Sequence, residues 1–390
     1  MRSFPAGSPG PLVPFVLAAC TAVSVLSTDL ITPSIPDLPE ALGTSIGTAQ
    51  MTVSVNLAAY AIAQLVHGPV ADAIGRKRLL ISAFLLFAIF SVYCALAITM
   101  QGLLWGRFAQ GLFSSVPSVV IVLLIRELYD SNRALAVMGL YGATLGVAPA
   151  VGPLVGGYLH VWFGWQAGFW FIAVVALIVI ALVWRMVPES LGAPARLNFR
   201  GALRAYKDLM LTPTFVAPLM GVSLCFSAFY AYVTSGSVVF IDLLGMPTER
   251  YGLTNLVIIG AFVVGNLLST RLSRRFRADQ MLRVGAMGMV LAVLGLLVPI
   301  VMGTTAVAPI VGAMSLYAAC LAIVLAAGPL VVLNAAGRAP VGPAAALLGS
   351  VQLGMAAIAG YLAAEFYNGT ALPMAMVMTL MVVAGASMIL

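Results

Sequence analysis

A carboxylate in the run "TAVSVLSTDLITPSIP" (Thr21 to Pro36) and a guanidinium in "GRFAQG" (Gly106 to Gly111) are the two groups whose setting invites chemistry. Only 8% of the 390 residues are charged and 12 are acidic, yet Asp29 and Arg107 both stand inside long apolar stretches. The other carboxylates near such stretches, Glu127, Asp242 and Glu365, fall at their ends. An ionised group placed in hydrocarbon costs roughly 3 kcal/mol, so it faces a cavity or a partner. A carboxylate that alternates between a dry and a wet setting takes up a proton in the first and releases it in the second. Asp29, with Arg107 as the modulating charge, therefore makes a candidate proton-coupling pair; the bland alternative is a solvated acid near a run end.

Weaker polar signals surround this pair. Asn56, Tyr60 and Gln64 recur every fourth residue and share one helix face. Tyr230, Ser235 and Ser237 form a polar and aromatic strip, and Gln352 interrupts another apolar run. Asn56, Tyr60, Gln64, Tyr230, Ser235 and Gln352 are the candidate substrate-binding residues of a broad apolar cavity with few directional bonds. Each can equally serve as an interhelical hydrogen bond with no ligand role. Enzyme chemistry finds no support. The two histidines, His67 and His160, are far apart, there is no HExxH or GxSxG motif, and the four cysteines lack metal spacing, so no cofactor or metal is expected.

The elements that must position these residues follow from composition. The chain is 62% hydrophobic, with a mean hydropathy of +1.09, more apolar surface than a water-soluble globule of this length can hide. Its apolar runs are uninterrupted and of bilayer-crossing length, unlike the alternating ten-residue segments of an outer-membrane barrel. Twelve spans are expected, at roughly 12–35, 48–71, 79–99, 102–127, 135–159, 165–187, 213–241, 250–271, 279–302, 306–330, 343–366 and 371–389. The fold class is thus all-α integral membrane. If the N-terminus is cytoplasmic, 17 of the 19 Lys and Arg residues fall in inner loops or inner helix ends, which places both termini in the cytoplasm. The net charge of +7 reflects this topology and gives no reason to expect nucleic acid as a partner.

The chain also repeats itself. "HGPVADAIGRKRLLI" (His67 to Ile81) and "VGNLLSTRLSRRFRADQML" (Val264 to Leu282) both join a helix end to a basic turn and a new helix, and Gly68 and Gly265 lie 197 residues apart. The second copy has Ser269 where the first has Asp72 and Leu272 where it has Gly75. Two six-helix bundles, 1–187 and 213–390, joined by a linker at 188–212 that ends in a short basic amphipathic helix, are the expected organisation, with a site between them.

These residues carry a resemblance. "GPVADAIGRK" resembles the loop signature of the major facilitator superfamily, matching at Gly68, Asp72, Gly75, Arg76 and Lys77. "GRFAQG" resembles the fourth-helix arginine motif, and "APAVGPLVGG" (Ala148 to Gly157) the fifth-helix motif of drug/proton antiporters, with Pro149, Gly152, Pro153, Gly156 and Gly157 in place and Ala148 for the usual first glycine. "STDLITPSIP" and "YGLTNLVIIGAFVVGNLLSTRLSRR" resemble the Bcr/CflA, MdfA-like branch, although Thr21 stands where such relatives carry a second acid. The resemblance implies a major facilitator fold and an antiporter of the bacterial inner membrane. The fixed positions of Gly68, Asp72, Gly75, Arg76 and Lys77 are read as a gating latch between halves or helices that breaks during transport, with Arg126, Glu127 and Asp130 at the inner end of the fourth span as its partners; the bland alternative is a positive-inside anchor. The side-chain-poor face of Pro149, Gly152, Pro153, Gly156 and Gly157 is expected to pack closely against the other half, and the resemblance implies that this helix seals the leak path and favours antiport. Expected partners are a small-molecule substrate, protons and the lipid bilayer, with the chain acting as a monomer. Multidrug export is the leading expectation; transport of a narrow natural substrate such as a sugar, amino acid or siderophore is the alternative.

Overall fold

The computed structural model describes residues 10–191, 199–303, 306–337 and 341–390, which form fifteen α-helices. The N-terminal half contains α1 (Val13–Asp29), α2 (Leu38–Leu42), α3 (Ile46–Ile74), α4 (Arg76–Ala95), α5 (Met100–Ser114), α6 (Val116–Leu128), α7 (Ser131–Phe163) and α8 (Ala167–Met186). The linker supplies α9 (Phe199–Met210). The C-terminal half contains α10 (Pro213–Ser237), α11 (Thr248–Leu272), α12 (Ala278–Val301), α13 (Val307–Ala335), α14 (Val341–Glu365) and α15 (Leu372–Ile389). Among the described residues eleven stretches are long and apolar enough to cross a bilayer, and α7, bent by 41° after Pro149, makes a twelfth.

Three spans expected to be continuous are broken, and proline chemistry accounts for two of the breaks. A proline has no N–H for the carbonyl four residues earlier. Pro33 withdraws the donor from the Asp29 carbonyl, the Thr32 hydroxyl takes its place at 2.7 Å, and the chain continues as a 3-10 turn over Thr32–Asp37. Pro117 does the same to Phe113, and the fourth span divides at Ser115 into α5 and α6. The end of α10 widens into a π-helical turn, Val238–Leu243.

Each half repeats one set of helix pairings. α1 packs on α7 as α10 packs on α14, α3 on α5 as α11 on α13, and α4 on α8 as α12 on α15. Between halves, α3 lies along α14 and α7 along α11, two contacts that exchange under the same approximate two-fold. One hydrophobic core runs through both halves and includes Ile35, Val53, Phe240 and Ala363; a second, with Leu80, Phe84 and Leu124, stays in the N-terminal half. The shared core draws on the beginning of α3 and the end of α14, so the halves are sealed at that end. At the other end lie the Gly75 turn, α9 and most of the arginines, here termed the basic face. Exposed aromatic residues at helix ends, Trp105, Tyr158, Trp162 and Trp184, suit the two headgroup layers.

Candidate functional site

Arg107 on α5 is completely buried. Its Nη1 donates to the Ser27 carbonyl at 2.9 Å and to Gln110 Oε1 at 2.5 Å, and Nε donates to the Thr52 carbonyl at 3.2 Å. Gln110 is held in turn by donating to Ser91 Oγ at 2.7 Å. Ser27 lies in the last turn of α1, where the carbonyl ends carry partial negative charge, so the guanidinium sits at the favourable pole of that helix. The Phe169 ring centroid lies 5.9 Å from Arg107 Cζ and adds a cation–π contact. Nη2 is buried and has no hydrogen-bond partner.

Asp29, the last residue of α1, is 4% exposed and lies within electrostatic reach of Arg107, Tyr230 and Tyr251. It is held there by close packing of α7. A Cβ on Gly152 would stand 2.8 Å from the Asp29 Cβ, and one on Gly156 would collide with the Leu30 carbonyl. Gly157 lies on the other side of the helix, where a Cβ would be 3.2 Å from the Thr248 carbonyl of α11. The fifth-span motif therefore divides its glycines. Gly152 and Gly156 meet α1 of the same half, where packing against the other half was expected, and Gly157 alone of the three faces across. Pro149 and Pro153 sit at and just beyond the bend.

A cavity of about 540 Å³ lies between the halves, reaching from mid-helix toward the basic face. Tyr60, Gln64, Tyr230 and Gln352 line it, along with Thr28, Tyr141, Pro149, Phe226, Phe229 and Phe262. None of the lining residues carries a formal charge. Farther toward the basic face α7 and α11 part: Gly146 still meets Phe262, whereas Gly142 and Gly139 face open space. Two expected binding residues are elsewhere. Ser235 is buried in α10 outside the lining. Asn56 is buried behind it, accepting from the Thr28 hydroxyl at 3.1 Å and donating to the Arg107 carbonyl at 3.0 Å. A residue that sequence reasoning missed, Thr28, thus connects the cavity wall through Asn56 to the buried arginine.

The turn after α3 forms an ionic cluster. Arg76, 6% exposed at its side chain, binds Glu127 through two bonds of 2.8 and 3.1 Å and Asp72 at 2.8 Å. Glu189 accepts from the Arg76 backbone N–H at 2.9 Å and so caps α4. Gly75 has φ +100°, and a Cβ there would meet the Glu189 carboxylate at 2.5 Å, so conformation and space both require glycine. Lys77 Nζ donates to the Trp184 carbonyl at 2.7 Å, and Gly68 faces open space. Of the expected partners Glu127 joins the cluster, whereas Asp130 caps α7 by accepting from the Arg133 N–H at 2.9 Å. Glu189 and Ser190 are partners the sequence reading did not name. The cluster joins α3, α4, α6 and the end of α8, all within one half.

The linker helix makes one further connection. Pro69 withdraws the N–H that the Leu65 carbonyl would otherwise accept, and the Tyr206 hydroxyl of α9 donates to that carbonyl at 3.0 Å. Burial raises the Tyr206 hydroxyl above its ordinary pKa. α9 also packs on α10 and α14, so it bridges the halves at the basic face.

The description "Major Facilitator Superfamily" matches residues 17–364 of the chain. A bicyclomycin resistance protein homolog of Haemophilus influenzae is 27% identical, over 89% of this chain and 87% of its own length. A chloramphenicol resistance protein of Pseudomonas aeruginosa is 33% identical over 46% of this chain and 42% of its own. The multidrug resistance protein MdtM of Salmonella typhimurium is 28% identical over 66% and 63%. Among solved structures, a D-xylose–proton symporter superposes with a TM-score of 0.76 at 16% identity, covering 97% of this chain and 96% of that one. At this identity the likeness speaks to the fold alone.

Proposed function

The chain belongs to the Major Facilitator Superfamily, and from that premise we propose that it is a proton-coupled antiporter of the Bcr/CflA branch, exporting small amphipathic compounds from the bacterial cytoplasm. The observation that carries this reading is the cavity: about 540 Å³, walled by tyrosines, phenylalanines and aliphatic side chains, without a formal charge. Such a wall binds by shape and apolar contact and tolerates ligands of different structure. The names of the resistance proteins to which the chain is similar point the same way.

In this reading the bundles 1–187 and 213–390 rock about the cavity while 188–212 links them, and the basic face is cytoplasmic in a multi-pass inner-membrane protein. The cavity then opens inward, and one chain acting as a monomer completes it. Coupling runs behind the wall. Asp29 does not line the cavity, so a cationic ligand competes with the proton through its field across the neighbouring wall residue Thr28 and not by touching the carboxylate. Protonation of Asp29 removes a negative charge from the environment of Arg107 and the end of α1, which changes how tightly α1 is held against α5. Tyr60, Gln64, Tyr230 and Gln352 orient the ligand. The Arg76 cluster keeps the basic end of the first bundle rigid as it moves.

The test is efflux from everted vesicles for chloramphenicol, bicyclomycin and a lipophilic cation, comparing wild type with Asp29→Asn. We expect wild type to export several of these with a rate that tracks the proton gradient, and Asp29→Asn to bind ligand without gradient-driven export. Unchanged export by Asp29→Asn would remove the carboxylate from the mechanism, and export of none of the panel by wild type would defeat the multidrug reading.

A further inference from the structure

Just beyond the cavity, on the side away from the basic face, lies a group of neutral polar side chains with nothing to bind. Gln50 is fully buried, and neither its amide nitrogen nor its amide oxygen has a hydrogen-bond partner. One turn along the same face of α3, Ser54 Oγ is likewise unpartnered, as is Thr234 Oγ1 on α10. Ser54 is 3% exposed and Thr234 fully buried. The two hydroxyls converge: each lies 2.6 Å from the point where Gly360 of α14 would carry a Cβ. The patch thus unites one helix of the first half with two of the second, at the sealed end of their interface.

Buried polar atoms are normally paired, and leaving them unpaired is costly. Their placement supplies a reason for the exception. Ser54 precedes the cavity residue Leu57 by one turn, Thr234 follows Tyr230 by one turn, and Gly360 follows Leu353 by two. The patch is the next layer of the same inter-bundle passage, closed in this state. We propose that Gln50, Ser54 and Thr234 form a release-side binding station for a neutral hydrogen-bonding group of the exported compound: a hydroxyl, amide or carbonyl. When α3 and α10 part from α14, the station opens to the outer side and the ligand's polar group, or water after it has left, satisfies these atoms. With no charge in the patch, ligands lacking a hydrogen-bonding group gain nothing from it.

This inference rests on the efflux reading above, and two measurements separate the two. In a chain whose four native cysteines are replaced, Ser54→Cys is exposed in intact cells to a membrane-impermeant maleimide, with Asn368→Cys as an accessible control. Labelling at position 54 that rises during turnover and falls with saturating chloramphenicol supports the station. Absence of labelling while the control reacts overturns it, whatever the chain exports. In everted vesicles, the triple variant Gln50→Leu, Ser54→Ala, Thr234→Val is compared with wild type, whose own activity tests the efflux reading. Export of chloramphenicol is expected to fall about tenfold, while export of tetraphenylphosphonium, which has no hydrogen-bonding group, stays within about twofold. Equal loss for both compounds, or loss for neither, overturns the station.

Discussion

The bond between Tyr206 and the Leu65 carbonyl permits a test that isolates one interaction from the rest of the bundle. Tyr206→Phe removes the hydroxyl and leaves the ring, so packing of α9 is retained. The carbonyl then has no donor, because Pro69 supplies none. The site is part-buried, so the loss belongs in the lower part of the range for an unmet carbonyl, about 1 kcal/mol, or roughly fivefold in an equilibrium constant. The companion change is Pro69→Ala, which returns an N–H to the position four residues after Leu65 and lets α3 satisfy its own carbonyl. In that background the Tyr206 hydroxyl is redundant, and Tyr206→Phe is expected to cost only a few tenths of a kcal/mol. Equilibrium unfolding of the four proteins in detergent, combined as a double-mutant cycle, gives the coupling directly. A coupling energy near 1 kcal/mol supports the bond. Additive effects, or an equal cost of Tyr206→Phe in both backgrounds, would refute the reasoning.

Other consequences follow from single contacts. Gly156→Ala drives a methyl group into the Leu30 carbonyl; we expect roughly 1–3 kcal/mol of destabilisation and loss of efflux, and wild-type stability would show that α7 is not packed so closely on α1. Gly75→Ala must adopt φ near +100° and displace the Glu189 carboxylate, so transport should fail, and adding Glu189→Ala should relieve only the steric part. Arg107→Lys keeps the charge but cannot reach Ser27, Thr52 and Gln110 together. Gradient-driven export should be lost while ligand binding in detergent persists, and normal export would mean that charge alone suffices.

The architecture was legible because lipid leaves few alternatives. A run of twenty apolar residues must be a helix, and the twelve expected spans are present once the bent α7 is counted as one. The interruptions were harder to see, since apolar periodicity is blind to backbone donors. Their signals were nonetheless in the sequence, as Pro33 after Asp29 and Pro117 after Ser115 each remove a donor from a named carbonyl. At the site, helix-face spacing identified Tyr60 and Gln64 but grouped Asn56 with them. The residues stand four apart, yet a helix advances 400° in four steps, so Asn56 has turned away from the cavity wall toward α5. Glu189 could not be foreseen as a partner of Arg76, because nothing in local sequence relates residues 113 positions apart.

The approximate symmetry of the fold contrasts with an asymmetry of charge that bears on mechanism. Both charged groups buried inside spans away from the basic-face turn, Asp29 and Arg107, belong to the first half. Among the described residues, the buried polar side chains of the second half, including Thr234, Ser235, Ser237, Asn255 and Ser350, are all neutral. An ion held in the membrane needs a rigid setting with bonded partners, and the first half supplies it through backbone carbonyls from α1 and α3 and the Gln110 amide gathered around one guanidinium, of which Nη2 alone stays unpaired. A surface that must slide, part and reseal against a partner is better built from groups that tolerate brief desolvation, which neutral hydroxyls do and ions do not. The two halves therefore share a scaffold but differ in charge: one holds the buried carboxylate and guanidinium, and the other offers that bundle an uncharged wall. The Thr28–Asn56–Arg107 chain is where the two meet, because Thr28 touches the cavity that the second half helps to enclose while its bonding partner touches the arginine.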